Sequence, residues 1–115
     1  MITATEILAR RCQHQTRALN DQEISALLQA LPAWQLENQR ISRTFEFKNY
    51  YRTMAFVNAI AYVFHAEDHH ADLLVTYKRC TVTFQTHSVG GALSENDFIC
   101  AAKVDAIYQQ AADQA

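Results

Sequence analysis

The chain has 115 residues, 10 of them basic and 12 acidic, for a formal charge of −2 at neutral pH. That length suits one domain with a real core, and a hydrophobic content of 50% excludes a disordered charged tail. The near-neutral balance gives no basic footprint for nucleic acid, and no apolar run approaches the ~18–20 residues that span a bilayer.

Only 2 Gly and 1 Pro leave little room for long loops. The three cysteines, Cys12, Cys80 and Cys100, form no CxxC pair and no disulfide framework, so they read as free thiols in a reducing cytoplasm. A cytoplasmic protein with no membrane segment is expected. Residues 1–19 are assigned to an N-terminal extension and 20–115 to a single domain.

In chain order, Asn20 to Glu23 is a capping box opening a helix with Ile24, Leu27, Leu28 and Leu31 on one stripe. Pro32 ends it. Trp34 and Leu36 alternate with polar neighbours as a short strand, and Asn38–Gln39 turns into a second strand over 40–47 with Ile41, Phe45 and Phe47 in phase. Arg43 interrupts that apolar phase and predicts an edge position or a head reaching solvent.

From 50 to about 68 the period becomes helical. Met54, Val57, Ala61 and Phe64 share one face, and Phe56, Ile60 and Val63 make a second apolar line. A stripe that wide predicts burial by another subunit, giving a homodimer or homotetramer. Two strands follow, one with Leu73, Val75 and Tyr77 in phase, the other with Cys80, Val82 and Phe84, joined by a tight turn at Lys78–Arg79. Thr81, Thr83, Gln85 and His87 form the polar face of the last strand. Gly90–Gly91 makes a loop, and Ser94 to Asp97 is a second capping box, stapled by Leu93 and Phe98, that starts the last helix.

The order helix–strand–strand–helix–strand–strand–helix predicts an α+β two-layer domain. Its four-stranded antiparallel sheet carries three helices on one face.

Four of the five histidines lie between residues 65 and 87. Imidazole titrates near neutral pH, so a cluster in a cleft suits proton transfer. His69 and His70 can serve one pocket if the helix ends around them, since neighbours on a helix diverge by ~100°. A histidine at a helix C-terminus also simply favours the dipole. His65 and His69 have the i, i+4 spacing of helical zinc ligands, but they lack the HExxH arrangement and a further ligand at matching spacing, so no metal is expected.

The run Glu67–Asp68–His69–His70–Ala71–Asp72–Leu73, then Val82–Thr83–Phe84–Gln85–Thr86–His87, Gly90–Gly91 and Leu93–Ser94–Glu95–Asn96–Asp97–Phe98, resembles the pterin-4a-carbinolamine dehydratase family. Leu31–Pro32–Ala33–Trp34, Phe45–Glu46–Phe47 and Met54–Ala55–Phe56–Val57–Asn58 add to the likeness. The chain departs from the family pattern at Ala71, Leu73 and His65, and by an extra residue, Ala92, in the loop after His87. Cys12 matches a cysteine of some relatives and reads as unpaired.

The resemblance implies dehydration of 4a-hydroxytetrahydrobiopterin to the quinonoid dihydropterin, with no metal and no cofactor. It implies His69, His70 and His87 as the catalytic set, His70 foremost, and Asp97 as a substrate-binding residue whose other reading is the capping-box carboxylate. His14, outside the motif, is expected to be dispensable. Two alternatives come with the same fold: a non-enzymatic dimerisation, assembly or regulatory partner engaging a protein through the central helix, or a relative acting on another pterin.

Overall fold

The computed structural model describes residues 1–113. Its elements are α1 (Ala4–Leu8), α2 (Asp21–Ala30), β1 (Gln35–Glu37), β2 (Arg40–Glu46), α3 (Tyr50–Glu67), β3 (Asp72–Val75), β4 (Arg79–Phe84), a single 3₁₀ turn (His87–Val89) and α4 (Glu95–Asp113). The strands form one antiparallel sheet in the order β1-β2-β4-β3. This is the expected α+β arrangement, with one short helix, α1, added inside the segment assigned to an extension. Ile7 of α1 is fully buried and belongs to the core.

Local chemistry explains the punctuation. Asn20 and Glu23 cap α2 reciprocally, at 2.9 Å in each direction. Asn38 and Gln39 both adopt positive φ, 52° and 62°, the geometry that a two-residue hairpin turn needs to follow strand twist. The second hairpin turns one step earlier than expected. Thr76 N–H donates to Arg79 C=O at 2.8 Å, so Arg79 is already paired in β4 and Tyr77 lies in the turn, exposed.

Alternation in register builds the inner face of the sheet. Ile41 sits opposite Phe84, Arg43 opposite Val82, and Phe45 opposite Cys80. The three apolar residues of β4, with Ile41 and Phe45, are essentially inaccessible. The outer face of β2 and β4 is polar, and Thr44 and Thr81 join hydroxyls across it at 2.8 Å.

Arg43 corrects the expectation for its strand, because β2 is central, between β1 and β4. Its guanidinium points to the helix layer, donates to Asp105 of α4, and lies over the Phe45 ring 4.4 Å from its centroid. Trp34 Nε1–H donates to the same carboxylate oxygen at 2.9 Å. Burial raises the Asp105 carboxyl above its ordinary range, and the Trp34 and Arg43 bonds offset only part of that.

The inward face of α3 also differs from expectation. Thr53, Phe56, Ile60 and Phe64 are buried, while Ala61 is exposed and Met54 and Val57 are only partly covered. The buried face draws on both apolar lines, Phe64 from one and Phe56 and Ile60 from the other, and aromatic contact holds it to the sheet. Phe56 meets Phe45 at 4.9 Å and Phe64 meets Phe84 at 5.8 Å between centroids. Phe56 and Ile60 of the second line therefore face the chain's own core, where Ile60 is fully buried.

Ile60→Ala should cost about 2–5 kcal/mol through lost burial and the cavity left behind, and Ile60→Glu should abolish folding. Tyr62→Glu, at a side chain 74% exposed, should stay within about 0.5 kcal/mol of wild type in urea unfolding. For Arg43, a carboxyl raised in the folded state makes stability fall as pH climbs through its pKa. Arg43→Met raises Asp105 further, so it should cost about 1–3 kcal/mol near pH 7–8. It should cost less near pH 4, where Asp105 takes up a proton, and denaturant titrations at both pH values read the difference.

Candidate active site

The site forms where three chain segments leave regular structure together. The first is the C-terminus of α3. Asp68 takes the left-handed conformation, φ 52° and ψ 42°, and caps the helix with its N–H toward Phe64 and His65 carbonyls. His69 N–H still reaches Phe64 C=O at 3.2 Å, and then the chain straightens into β3. The break separates the two adjacent imidazoles. His69 turns inward with 11% of its side chain accessible, while His70 stays exposed.

The second segment is the exit of β4. Gln85, Thr86 and His87 follow Phe84, and the chain folds back through Gly90 and Gly91, both at positive φ. That return closes with Thr86 N–H donating to Ala92 C=O at 2.9 Å, so the extra-length loop is a hydrogen-bonded unit. His87 is brought to His70, their ring centroids 6.0 Å apart.

The third is the N-terminus of α4. Asp97 is fully buried, and three donors converge on it. His69 Nε2 lies 2.7 Å from Oδ1, while Thr86 Oγ1 at 2.7 Å and Ser94 N–H at 3.0 Å share Oδ2. The Thr86 hydroxyl has one proton; giving it to Asp97, it accepts from Ser94 Oγ at 2.7 Å. Only half of the expected capping box therefore exists, because the Ser94 hydroxyl turns to Thr86 and the Asp97 N–H meets the Ser94 carbonyl.

This geometry revises the reading of Asp97. Its oxygens are inaccessible and committed within the protein, so it meets the pocket through His69 rather than by touching a ligand. With the Thr86 hydroxyl and the Ser94 N–H on Oδ2, Oδ1 is left to pair with His69 Nε2, which turns Nδ1 away from the carboxylate. The His69 ring also stacks on Phe84, centroids 6.0 Å apart and planes 9° from parallel, so its orientation is fixed from two sides.

His69, His70 and His87 line one cavity of about 400 Å³ together with Gln85, Thr86, Ser88, Glu67 and Asn96. Sequence reasoning missed a further wall. Residues 12–15 run along the cavity, so His14, expected to be dispensable, lines it as well. Nothing in the local pattern marks these positions, since their placement depends on contacts more than 50 residues away in the chain. Cys12 N–H donates to Glu67 Oε1 at 2.7 Å across 55 positions.

Burial by itself would raise the Glu67 carboxyl. The Cys12 N–H, Lys103 and Arg11 outweigh it and hold the group below its usual value. The Cys12 thiol lies 3.6 Å from that of Cys100, and both are free. The Cys12 contact and burial push the Cys100 thiol far up, so Cys100 is no nucleophile at neutral pH. His65 lies apart from this cavity, exposed on α3. A more apolar groove of about 460 Å³ runs between α3 and the end of α4 past Phe47, Phe56 and Tyr108, but no histidine lines it. Among the described residues no helix is long and apolar enough to cross a membrane.

The end of α3, the exit of β4 and the start of α4 thus converge on a cavity lined by imidazoles, one of them backed by a buried aspartate. Residues 17–107 match the family model for pterin 4 alpha carbinolamine dehydratase, and the chain belongs to that family. A relative from Bdellovibrio bacteriovorus, provisionally named a pterin-4-alpha-carbinolamine dehydratase, is 52% identical over 110 residues, covering 93% of this chain and 92% of its own. One from Nitrosomonas eutropha with the same provisional name is 59% identical over 95 residues, 82% of this chain and 83% of its own.

Among solved structures, a transcriptional coactivator/pterin dehydratase from Brucella melitensis superposes with a TM-score of 0.76 at 32% identity, over 80% of this chain and 99% of its own. A pterin dehydratase-like RuBisCO assembly factor of the alpha-carboxysome shares the fold, with a TM-score of 0.55 at 24% identity over 65% of this chain and 86% of its own.

The Asp97 arrangement yields its own prediction. Asp97→Asn keeps the shape but places an amide donor where three donors already point. It should cost about 1–3 kcal/mol for the mismatched buried bonds, measured by thermal unfolding, whereas His87→Ala should leave the melting temperature within about 2 °C.

Proposed function

We propose that the chain is a 4a-hydroxytetrahydrobiopterin dehydratase that works by histidine acid–base catalysis and so recycles tetrahydrobiopterin. The observation that carries this reading is the single cavity that gathers His69, His70 and His87. Loss of the 4a-hydroxyl needs a proton delivered to the leaving oxygen and a base to receive the N5 proton, and imidazole can do both near neutral pH. The cavity volume also suits a bicyclic ring of this size.

In this reading His70 is the principal acid–base group, because it is exposed to the cavity and its neighbour there is another imidazole rather than a fixed carboxylate. His87, across from it, shares the proton traffic. His69, held by Asp97 and Phe84, offers a fixed imidazole that positions the 4a-hydroxyl. No metal or cofactor enters the reaction, because proton transfer alone completes it.

His70→Ala should lower kcat for 4a-carbinolamine dehydration by ~10²–10⁴-fold, the range for removing a positioned proton donor. His69→Ala and His87→Ala should each cost less and should not add, since groups sharing one proton inventory act as a unit. A folded His70→Ala protein with near wild-type turnover would overturn the assignment. A wild type inactive on every 4a-hydroxypterin would favour the binding or assembly role instead.

A further inference from the structure

Residues 10–17 have no regular secondary structure and lie almost wholly outside the segment that matches the family model. They are nevertheless fastened to all three segments that build the cavity. Glu67, two residues before His69, takes the Cys12 N–H at 2.7 Å and Arg11 Nε at 2.9 Å. Asn96, adjacent to Asp97, takes the Gln13 N–H at 3.1 Å and returns its own amide to the Gln13 carbonyl at 2.6 Å. Ser88, next to His87, donates to the Gln15 carbonyl at 2.7 Å.

Each anchor therefore sits beside a residue of the candidate site, and the strap's register is tied to the histidines. A two-point amide bond such as the Gln13–Asn96 pair fixes direction as well as distance. The side chains of Glu67 and Asn96 are largely enclosed, so these bonds are shielded from water and from salt. The strap presents Gln13, His14 and Gln15 to the cavity, and among the described residues the His14 imidazole has no hydrogen-bond partner.

We propose that this strap is part of the substrate site, with His14 binding the polar rim of the pterin away from C4a and N5, and with Asn96 and Glu67 as positioning residues. The proposal rests on the function proposed above. If C4a and N5 lie against His70 and His87, the ring's amino, oxo and ring-nitrogen groups remain to be satisfied, and the strap supplies further polar lining of the same cavity. Contacts to those atoms change little as the 4a-hydroxyl leaves. They contribute equally to ground and transition states, so they set KM and leave kcat nearly untouched.

The test compares wild type, His14→Ala, Asn96→Ala and the exposed outsider His65→Ala in steady-state dehydration and in fluorescence titration with biopterin, which binds without reacting. His14→Ala and Asn96→Ala should each raise KM and the biopterin Kd by roughly 3–10-fold, the loss of one hydrogen bond, with kcat within about twofold. His65→Ala should match wild type. His14→Ala removes an exposed side chain, so its result is independent of folding even if Asn96→Ala is unstable.

Unchanged KM and Kd in a stable His14→Ala protein, with an active wild type, would overturn the strap's role and leave the dehydratase reading standing. A fall in kcat at constant KM for Asn96→Ala would show that Asn96 acts through Asp97 and would also overturn it. A wild type that neither binds biopterin nor dehydrates any 4a-hydroxypterin would remove both readings together.

Discussion

A carboxylate removed from water costs several kcal/mol unless protein donors replace its solvation, and Asp97 is fully buried. The donors come from three different elements. The start of α4 supplies the Ser94 N–H, the exit of β4 supplies the Thr86 hydroxyl, and the end of α3 supplies His69. Satisfying one buried charge thus forces three chain segments into a common corner. The cavity is the space they leave between them, which is why the histidines meet there rather than elsewhere along the sheet.

The same corner holds one imidazole fast and leaves two open. His69 is inward, bonded and stacked, whereas His70 and His87 line the cavity with ring centroids 6.0 Å apart. The left-handed Asp68 ends α3 just before the histidine pair, so neither imidazole is held to helical geometry. The glycine pair after His87 plays the complementary part, letting the chain turn back so that Thr86 and Ser94 can bond.

The opposite end of the layer is held by a second polar cluster with a different character. Arg43, Asp105 and Trp34 join the central strand to α4 within an otherwise apolar interface. Trp34 is buried and the charged pair about three-quarters so, and the aromatic rings of Phe45 and Tyr108 cover the guanidinium. The charged pair fixes how α4 lies across the sheet, and α4 in turn carries Asn96 and Asp97 to the site.

Local chemistry written in the sequence determined the element order, the Asn20–Glu23 box, the Asn38–Gln39 turn and the antiparallel sheet. Caps, turns and period-two alternation act over a few residues, so they are legible there. The histidine set and the family resemblance were legible for a similar reason, as residue types at short fixed spacing. Tertiary structure alone decided which residues of the two apolar lines of α3 face inward, because contact with Phe45 and Phe84 chose Phe56 and Phe64, with Ile60 between them. It decided that Arg43 belongs to a central strand with a partly buried partner 62 positions away. It also placed His14 at the cavity and Asp97 behind His69, since burial and long-range hydrogen bonds are properties of the folded chain that no local spacing encodes.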